Sequence, residues 1–244
     1  MTSFNVIAEH ELIQLRQQVY FEPGLVVFKS FLSEAVVGRL QEFWQASHSF
    51  YYEHFIANRD IAPGTPDYVY HRPTPSDFAY CHHLWNQPFD EQLHEIAYSV
   101  QSLRNQIEGK PRYHGLHEST GQMLQYRVCK TVSPGVAVGK HADFMEEHRV
   151  DPTGDHAFDP VRLQATLFLS DYEKDYKDGG FFLYDSEGVN KRLLGRDVPV
   201  SAGDLVLWRY SLSHEVRDVV ADSSSQIGFF RIIYPLFDIS EGIS

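Results

Sequence analysis

The chain has 244 residues and a formal charge of -12 at pH 7. A field of that sign repels phosphate, which argues against nucleic acid or an anionic membrane as a partner. Hydrophobic residues make up 43% of the sequence, enough to bury the core of one sizeable domain spanning 1–244. No apolar run is long enough to span a bilayer, and Cys81 and Cys129 are too few for a disulfide framework. These features favour a cytoplasmic protein that acts on a small molecule.

The first half of the chain predicts one strand and two helices. Residues 24–28, "GLVVF", are typical of a strand, and Ser33 can cap the helix that follows. A second helix is predicted after Asp90. Its apolar stripe consists of Leu93, Ile96, Ala97, Val100, Leu103 and Ile107. Residues 49–88, between the helices, are rich in aromatics and proline, and we interpret them either as a segment that covers the substrate or as a packed irregular wall.

From residue 122 onward, short runs of β-forming residues alternate with turn signals, which predicts an all-β half. The predicted strands are 123–130, 136–142, 162–170, 181–184, 198–200, 204–208, 214–219 and 227–234. Gly179 and Gly180 permit a tight bend between two of them. The pattern favours a mainly β fold with flanking helices, either a β-sandwich or a jelly-roll barrel. A helical N-terminal support (1–120) would brace a β-core (121–237).

The stretch 141–150, "HADFMEEHRV", gathers two histidines and three carboxylates where a strand is predicted to end. Residues i and i+2 of a strand share a face, so His141 and Asp143 can point together into the mouth of a barrel. His214, which opens a later predicted strand, could supply a third ligand. Two imidazoles and one carboxylate form the facial triad of non-haem Fe(II) oxygenases, which leaves metal sites open for a 2-oxo acid and O2.

An ordered set of stretches between 122 and 235 resembles the 2-oxoglutarate/Fe(II)-dependent dioxygenases, in particular their prolyl-4-hydroxylase-like and phytanoyl-dioxygenase-like branches. The stretches are "MLQYRVCK", "HAD", "RLQATLFLSD", "DGGFFLYD", "VPVSAGDLVLWRYSLSHEVRDV" and "IGFFRIIYP". The opening "EPGLVVFKSFLSEAVVGRL" is similar to the family's N-terminal strand and helix. The resemblance implies a double-stranded β-helix (jelly-roll) core with His141, Asp143 and His214 as the ligands of a catalytic Fe(II). It also implies 2-oxoglutarate and O2 as cosubstrates, and hydroxylation, desaturation or cyclisation with release of succinate and CO2.

Arg231 is the candidate anchor for the distal carboxylate of 2-oxoglutarate, because the family places a basic residue on a late strand. In the predicted strand 227–234 this arginine lies on an apolar face. The other residues on that face are Ile227, Phe229 and Ile233. A buried guanidinium is costly without an anionic partner, and a cosubstrate carboxylate held bidentately would offset that cost. A structural salt bridge to a protein carboxylate is the alternative. Arg217, on the opposite strand face from His214, is rejected as the anchor.

Four further residues are candidates around the same site. Tyr126 is predicted to point inward, where its phenol could donate to 2-oxoglutarate or be an ordinary core residue. Arg162 begins a predicted strand and could reach substrate, or it could be solvated or salt-bridged. Glu146 and Glu147 open a loop that is predicted to hang over the metal, where a pair of carboxylates could attract an amine or simply be solvated.

The leading interpretation is therefore an oxygenase that acts on a polar natural product or amino-acid-like molecule bearing an amine. Asp143 argues against a halogenase, because related halogenases replace the metal-binding carboxylate with a small residue. A prolyl-hydroxylase-type enzyme acting on protein or peptide is one alternative. A metal-binding β-barrel without oxygenase activity, or a zinc hydrolase using the same ligands, is another. Arg231 favours the oxygenase, since a hydrolase has no need of a buried cation that holds a diacid.

Overall fold

The structure, a computed structural model, describes residues 7–21, 23–47, 67–70, 76–88, 90–143, 162–225 and 227–239. The predictions about Glu146 and Glu147, and about most of the segment 49–88, lie outside these residues. In the parts of the chain just given, no helix is both long and apolar enough to cross a membrane.

Within the described ranges the chain forms α1 (Glu9–Tyr20), α2 (Glu34–Ser47) and α3 (Glu91–Glu108). The two predicted helices, α2 and α3, are confirmed. Asp90 caps α3 by accepting a hydrogen bond from the backbone N–H of Leu93 at 2.9 Å. The predicted apolar stripe of α3 is buried along its whole length. The sequence prediction missed α1, because this helix fully buries only Val19 and so has a weak amphipathic pattern.

The described residues form fourteen strands. They are β1 (Leu25–Phe28), β2 (Tyr68–Tyr70), β3 (Ser76–His83), β4 (Gln122–Thr131), β5 (Val136–His141), β6 (Leu163–Phe168), β7 (Tyr176–Lys177), β8 (Gly180–Tyr184), β9 (Lys191–Leu193), β10 (Leu205–Arg209), β11 (His214–Arg217), β12 (Val220–Ala221), β13 (Phe229–Ile233) and β14 (Leu236–Asp238). The large sheet has the order β1-β10-β6-β13-β4-β3-β2, and β14 pairs with β4. The small sheet has the order β5-β11-β8-β9, and β7 pairs with β12.

Two hydrophobic cores lie on opposite sides of the large sheet. On one side, alternate residues of the sheet pack against the helices, as Leu124 does with Trp44 and Val100 in a single cluster. On the other side, the large sheet faces the small one, and Phe168 and Trp208 share a cluster with residues of the small sheet. The residues of the small sheet in that cluster are Ala137, Phe181, Leu183 and Val216. Two antiparallel sheets that enclose one interior, with helices outside, confirm the predicted jelly-roll core.

Two local predictions need correction. Residues 198–200 do not form one of the strands. The strand that pairs with the outer edge of β8 is β9, at Lys191–Leu193. The first 120 residues are more than a helical support, because β1, β2 and β3 extend the large sheet. The described part of the segment 49–88 is therefore a regular ladder, in which β3 pairs along β4. Strand pairing between distant segments overrides the irregular local pattern of this segment.

The double glycine behaves as predicted, as a structural feature. A Cβ on Gly179 would come within 2.0 Å of the backbone oxygen of Arg217, and Gly180 has a φ of +139°. The close backbone approach and the unusual φ both require glycine. This bend leads into β8, the strand beside β11 that carries His214.

A partly buried carboxylate, that of Asp67, organises the edge of the large sheet near β2 and β3. Asp67 accepts hydrogen bonds from Tyr80 Oη at 3.0 Å, His82 Nδ1 at 2.7 Å, the backbone N–H of His83 at 3.1 Å and Asn86 Nδ2 at 2.6 Å. Burial opposes ionisation of Asp67, but the hydrogen bond and charge of His82 and the donors of Asn86 and His83 outweigh it. The pKa of Asp67 therefore lies below its usual value.

We expect Asp67→Asn to lower the free energy of unfolding by about 2 kcal/mol, because an amide is a weaker acceptor for these four donors. A carboxyl whose pKa is lowered by folding contributes stability that is present above its unfolded pKa and is lost as the pH falls through the folded pKa. The difference between wild type and variant should therefore shrink in urea melts run from about pH 6 to about pH 3. Glu95→Gln, an exposed carboxyl on α3, is the matched control. A constant difference across this range would contradict the assignment.

Candidate metal centre

The three predicted ligands meet at one end of the small sheet. β5 ends at His141 and β11 begins at His214, and these two residues are direct partners in the antiparallel ladder. Asp143 follows two residues after His141. His141 Nε2 lies 3.5 Å from Asp143 Oδ1, and His214 Nε2 lies 3.9 Å from Asp143 Oδ2. One ligand atom from each residue lies within 4.8 Å of the other two, close enough for a single metal ion to bind all three.

Both imidazole rings are oriented by their own backbone. Nδ1 of His141 lies 2.7 Å from the carbonyl oxygen of Gly139, and Nδ1 of His214 lies 3.2 Å from that of Leu212. A carbonyl oxygen can only accept, so Nδ1 of each ring carries a proton, and Nε2 keeps its lone pair whenever the ring is neutral. Both Nε2 atoms are the ones that approach Asp143. Such hydrogen bonds to the second ring nitrogen orient imidazoles that bind metal.

The electrostatics also suit a cation. The hydrogen bond with Asp143 is the main cause that raises the pKa of His141 above its usual value, while burial lowers the pKa of the more enclosed His214. Burial opposes ionisation of Asp143, but the hydrogen bond from His141 and the nearby positive charges hold its pKa below its usual range. At neutral pH the site therefore contains an ionised carboxylate beside a neutral His214, the forms that bind a metal.

The three residues open onto a cavity of about 360 Å³ between the two sheets. Two arginines, Arg127 and Arg231, contribute to its wall. The other residues that line it are Val138, Gln164, Thr166, Phe181, Trp208, Tyr210, Val216, Ile233, Pro235 and Phe237. The cavity thus combines a predicted metal site, two guanidinium groups and an aromatic wall, of which Trp208 lies closest to the site, with its ring centre 4.5 Å from that of His214.

Arg231 is buried on β13 and faces this cavity, as predicted. Its Nη1 donates to Thr131 Oγ1 at 3.4 Å, and its guanidinium carbon lies 4.4 Å from the ring centre of Phe229. Among the described residues no carboxylate forms an ion pair with it, and burial lowers its pKa. The alternative of a salt bridge to a protein carboxylate is therefore not found in this part of the chain. Ile227 departs from the predicted face and packs in the helix-side core, since Gly228, with a φ of +68°, precedes the strand.

A scan of protein-family models gives no match to this sequence, and a search of the curated proteins gives none. Solved structures do match. A Pseudomonas putida prolyl-4-hydroxylase has 16% identity and a TM-score of 0.56, over 93% of this chain and 98% of that one. SnoN, a non-haem α-ketoglutarate-dependent epimerase from nogalamycin biosynthesis, has 12% identity and a TM-score of 0.56, over 97% of this chain and 88% of that one. A Trichoplax adhaerens prolyl hydroxylase, in complex with a peptide fragment of hypoxia inducible factor, has 15% identity and a TM-score of 0.53, over 94% and 90%.

The chain has the fold of the non-haem iron and 2-oxoglutarate oxygenases. At 12–16% identity this similarity concerns the fold. What the cavity can bind follows from its own residues.

Within this oxygenase fold, the predicted orientation of Tyr126 is wrong. Its ring lies on the helix side of β4, with its centre 4.8 Å from that of His82 and 6.3 Å from that of His94. Arg127 faces the cavity instead. The face that carries Tyr126 was predicted to point inward because it is apolar. In a sheet that is covered on both sides, however, an apolar face can pack against the helices as well as against the other sheet.

The two other arginines of the sequence analysis also lie away from the cavity around His214. Arg162 donates from Nη1 to the backbone oxygen of Leu236 at 3.0 Å and lines a separate cavity of about 320 Å³. Its predicted contact with substrate at the metal site is therefore not supported. Arg217 is partly exposed and donates from Nε to Asp218 Oδ2 at 2.7 Å. Its place outside the cavity agrees with its rejection as the cosubstrate anchor.

Several residues of the cavity were missed from the sequence. Gln164 and Thr166 alternate with the apolar residues of "RLQATLF", so the sequence alone could have predicted that they share a strand face. Trp208 pairs with Gln164 across β10 and β6, which brings it to the same face. That register is not visible in the sequence, since it joins strands about forty residues apart.

Proposed function

We propose that this protein is an Fe(II)- and 2-oxoglutarate-dependent oxygenase that oxidises an unactivated C–H bond of a small polar molecule. The observation that carries the proposal is the presence, in one cavity, of the His141–Asp143–His214 set and of a buried Arg231 with no carboxylate among its described contacts. When bound, the iron would supply the activation of O2 that oxidises 2-oxoglutarate to succinate and CO2 and the substrate at a C–H bond. The proposed reaction is hydroxylation, with desaturation and cyclisation as variants.

The donor set fits Fe(II). Two imidazole nitrogens and one carboxylate oxygen are the protein ligands of the non-haem Fe(II) oxygenases, and they leave the remaining metal sites open. His141 and His214 present Nε2 because their Nδ1–H groups donate to backbone carbonyls. Asp143 contributes the negative charge, and its lowered pKa keeps it ionised at neutral pH. These residues bind and orient the metal and take no part in proton transfer.

Arg231 would hold the distal carboxylate of 2-oxoglutarate. Its planar guanidinium can donate two parallel hydrogen bonds to a carboxylate, and burial strengthens that interaction because water does not compete. Thr131 Oγ1 and the Phe229 ring fix the side chain before the cosubstrate arrives. A dianion that spans from Arg231 toward the triad would offset the cost of burying this cation.

The walls of the cavity would exclude water from the reacting atoms. Trp208 and Phe181 pack against the ring of His214, with ring centres 4.5 and 5.6 Å away. Both are buried and belong to the core between the sheets. A dry, rigid wall on this side holds the site in one geometry and limits side reactions.

Size favours a small molecule as the substrate. A cavity of about 360 Å³ lies within the usual range for small-molecule sites, about 300–1,000 Å³. SnoN has been solved with Fe3+, α-ketoglutarate and nogalamycin RO, and the Trichoplax prolyl hydroxylase with a peptide, so this fold accepts both classes. The alternative function is therefore a prolyl-hydroxylase-type enzyme. A zinc hydrolase, or a metal-binding barrel without oxygenase activity, would not need the buried guanidinium of Arg231 in this cavity.

Incubating the purified protein with Fe(II), 2-oxoglutarate and a metabolite extract in air tests this function. The extract is divided into a small-molecule and a protein fraction, and succinate and product masses are followed. We expect the small-molecule fraction to stimulate succinate formation while one compound gains an oxygen or loses two hydrogens. Stimulation by the protein fraction alone would support the peptide alternative. No succinate from either fraction would contradict the proposal.

An amine on the substrate is a finer proposal, and it rests on the sequence. Glu146 and Glu147 follow the metal-binding strand in a chain with a formal charge of -12. A pair of carboxylates near a partly dry pocket is costly unless a cation compensates it. We expect the double variant Glu146→Gln, Glu147→Gln to bind substrate more weakly while 2-oxoglutarate decay without substrate persists. Turnover and apparent substrate affinity at wild-type levels would show that the two glutamates are merely solvated.

A cytoplasmic location stays a proposal. Cys81 and Cys129 are not joined by a disulfide in the structure, which suits a reducing compartment. Fractionation of cells that express the protein from its own gene tests the location, and recovery from an oxidising compartment would contradict it.

A further inference from the structure

Gln164 is a buried amide in the wall of the cavity that holds the triad. It lies on β6, is 5% exposed and shares a strand face with Thr166, which lines the same cavity. Its partner across the ladder is Trp208 on β10. The ring of Trp208 packs against that of His214, with 4.5 Å between the ring centres. Gln164 is therefore level with the candidate metal ligands, but on the opposite sheet.

The oxygen of the Gln164 amide has a partner in the structure, and the nitrogen does not. Gln164 Oε1 accepts a hydrogen bond from the backbone N–H of Ala165 at 3.1 Å. A backbone N–H can only donate, so the oxygen must face it, which leaves the two N–H groups of Nε2 for another partner. The described residues offer Nε2 no hydrogen-bond acceptor. Leaving a buried donor unpaired is unfavourable, so an acceptor on a ligand would stabilise this amide.

Thr166 holds the aromatic wall beside this amide. Its Oγ1 accepts a hydrogen bond from Trp208 Nε1 at 3.3 Å, and both residues are buried. The indole is thereby fixed between Gln164 and His214. Because the wall around the Nε2 donors is already ordered, little conformational entropy is lost when a ligand binds there.

The order of residues along β6 separates Gln164 from the candidate cosubstrate anchor. Arg231 pairs with Phe168, which is four residues, or about 13 Å, from Gln164 along the strand. The guanidinium of Arg231 contacts the Phe229 ring and Thr131 Oγ1. These two residues are ladder partners on the side of Arg231 that points away from Gln164. A cosubstrate that reaches from Arg231 to the triad would therefore approach the metal from one end, and Gln164 is left for a molecule that enters from the other end.

We propose that Gln164 donates a hydrogen bond to a carbonyl oxygen of the primary substrate. A carbonyl accepts without donating, so it complements the Nε2 donors better than a hydroxyl, which brings a donor of its own. The wall beside the amide is apolar, since it contains Trp208, Phe181 and Pro235, and it suits a hydrocarbon skeleton. The inference rests on the function proposed above and narrows its substrate class to a compact carbonyl compound.

Ketones and alkenes of the same shape test this inference, because a C=CH2 group replaces C=O without offering an acceptor. The pairs are cyclohexanone with methylenecyclohexane, acetophenone with α-methylstyrene, and 1-indanone with 1-methyleneindane. Each compound is titrated, with NMR chemical shifts as the readout, into isotope-labelled protein that carries Zn(II) in place of Fe(II) and is saturated with 2-oxoglutarate. We expect at least one ketone to bind the wild type about 10-fold or more tightly than its alkene, and to shift the side-chain amide signal of Gln164.

Three variants show whether the preference for the ketone depends on Gln164. Gln164→Met keeps the length of the side chain without the N–H donors, so the preference should fall to within about twofold while 2-oxoglutarate binds as before. Gln164→Asn keeps the amide on a shorter stem and should retain part of the preference. Gln14→Met, at an exposed glutamine on α1, should leave it unchanged. A purely structural role of Gln164 would change the affinities for ketone and alkene alike, so the preference isolates the hydrogen bond.

The proposal is overturned if the wild type prefers none of the ketones, or if Gln164→Met retains the preference. It is also overturned if Gln164→Met weakens binding of 2-oxoglutarate, since Gln164 would then serve the cosubstrate. If Gln164→Met does not fold, the side-chain amide signal of wild-type Gln164, assigned through its own backbone signals, decides: a shift with a ketone and not with its alkene supports the proposal, and no such shift contradicts it. If Zn(II) and 2-oxoglutarate do not bind the wild type, the proposed function fails, and the same pairs titrated into the metal-free protein decide the role of Gln164 independently.

Discussion

Arg231→Met is expected to raise the 2-oxoglutarate concentration for half-maximal succinate formation by about 30-fold to several-thousand-fold. Removing one partner of a buried charge pair costs on the order of 2–5 kcal/mol, and 1.4 kcal/mol is a factor of ten. Methionine matches the length of the arginine stem, so the effect measures the lost guanidinium. Iron binding should change little, because Arg231 is not one of the ligands.

Arg231→Met is expected to weaken cosubstrate binding but to increase the stability of the protein without ligands. A buried guanidinium with no carboxylate partner among the described residues is expected to destabilise the ligand-free state, so Arg231→Met should unfold at a higher urea concentration than the wild type. 2-Oxoglutarate at a given concentration should then stabilise the wild type more than the variant. Arg217→Met, whose side chain is paired with Asp218 outside the cavity, is the matched control. An unaltered dependence on 2-oxoglutarate in Arg231→Met would move the anchor to another residue.

His214→Ala and Asp143→Ala are each expected to weaken Fe(II) binding by more than about 100-fold. A loss of up to that size follows from removing a residue that only orients a ligand, so losing the ligand itself should cost more. In the wild type, affinity should fall as the pH drops through the pKa of His141, which its hydrogen bond with Asp143 raises above the usual value. Anaerobic equilibrium dialysis measures both effects.

The control for these variants is His117→Ala, an exposed histidine whose Nδ1 is bonded to Ser119 at 2.8 Å. It should bind one Fe(II) with wild-type affinity. If His214→Ala retained full iron stoichiometry at wild-type affinity, His214 would not be a ligand and the predicted triad would be wrong.

Local patterns in the sequence predicted the parts of the site that depend on neighbouring residues. His141 and Asp143 are two residues apart at a strand end, so their approach follows from strand geometry alone. The strand that begins at His214 was also readable, but its register against His141 is a property of the paired sheet. The order of the stretches that resemble the family indicated His214 as the third ligand, which residue spacing alone could not do. The role of these residues as iron ligands stays a prediction until metal binding is measured.

The prediction of strand faces was wrong where either of two environments, the helix side or the cavity side of the sheet, fits the same alternating sequence. "QMLQYRVCK" alternates correctly, but its sequence does not say which face meets the helices. The apolar face with Tyr126 packs against the helices, and the face with Arg127 lines the cavity, where ligands can satisfy polar groups. β3 was missed for a related reason, because it pairs with β4, a strand far from it in the chain, and β2 was missed with it because β2 pairs only with β3.

The visible absorption of the anaerobic protein with Fe(II) and 2-oxoglutarate tests the central claim most directly. A 2-oxo acid that chelates an iron held by His141, Asp143 and His214 should give a weak charge-transfer band that requires both additions. We expect this band in the wild type and in Arg217→Met, and we expect none in His214→Ala. The absence of a band in wild-type protein that has bound iron, or its persistence with full iron stoichiometry in His214→Ala, would contradict the account.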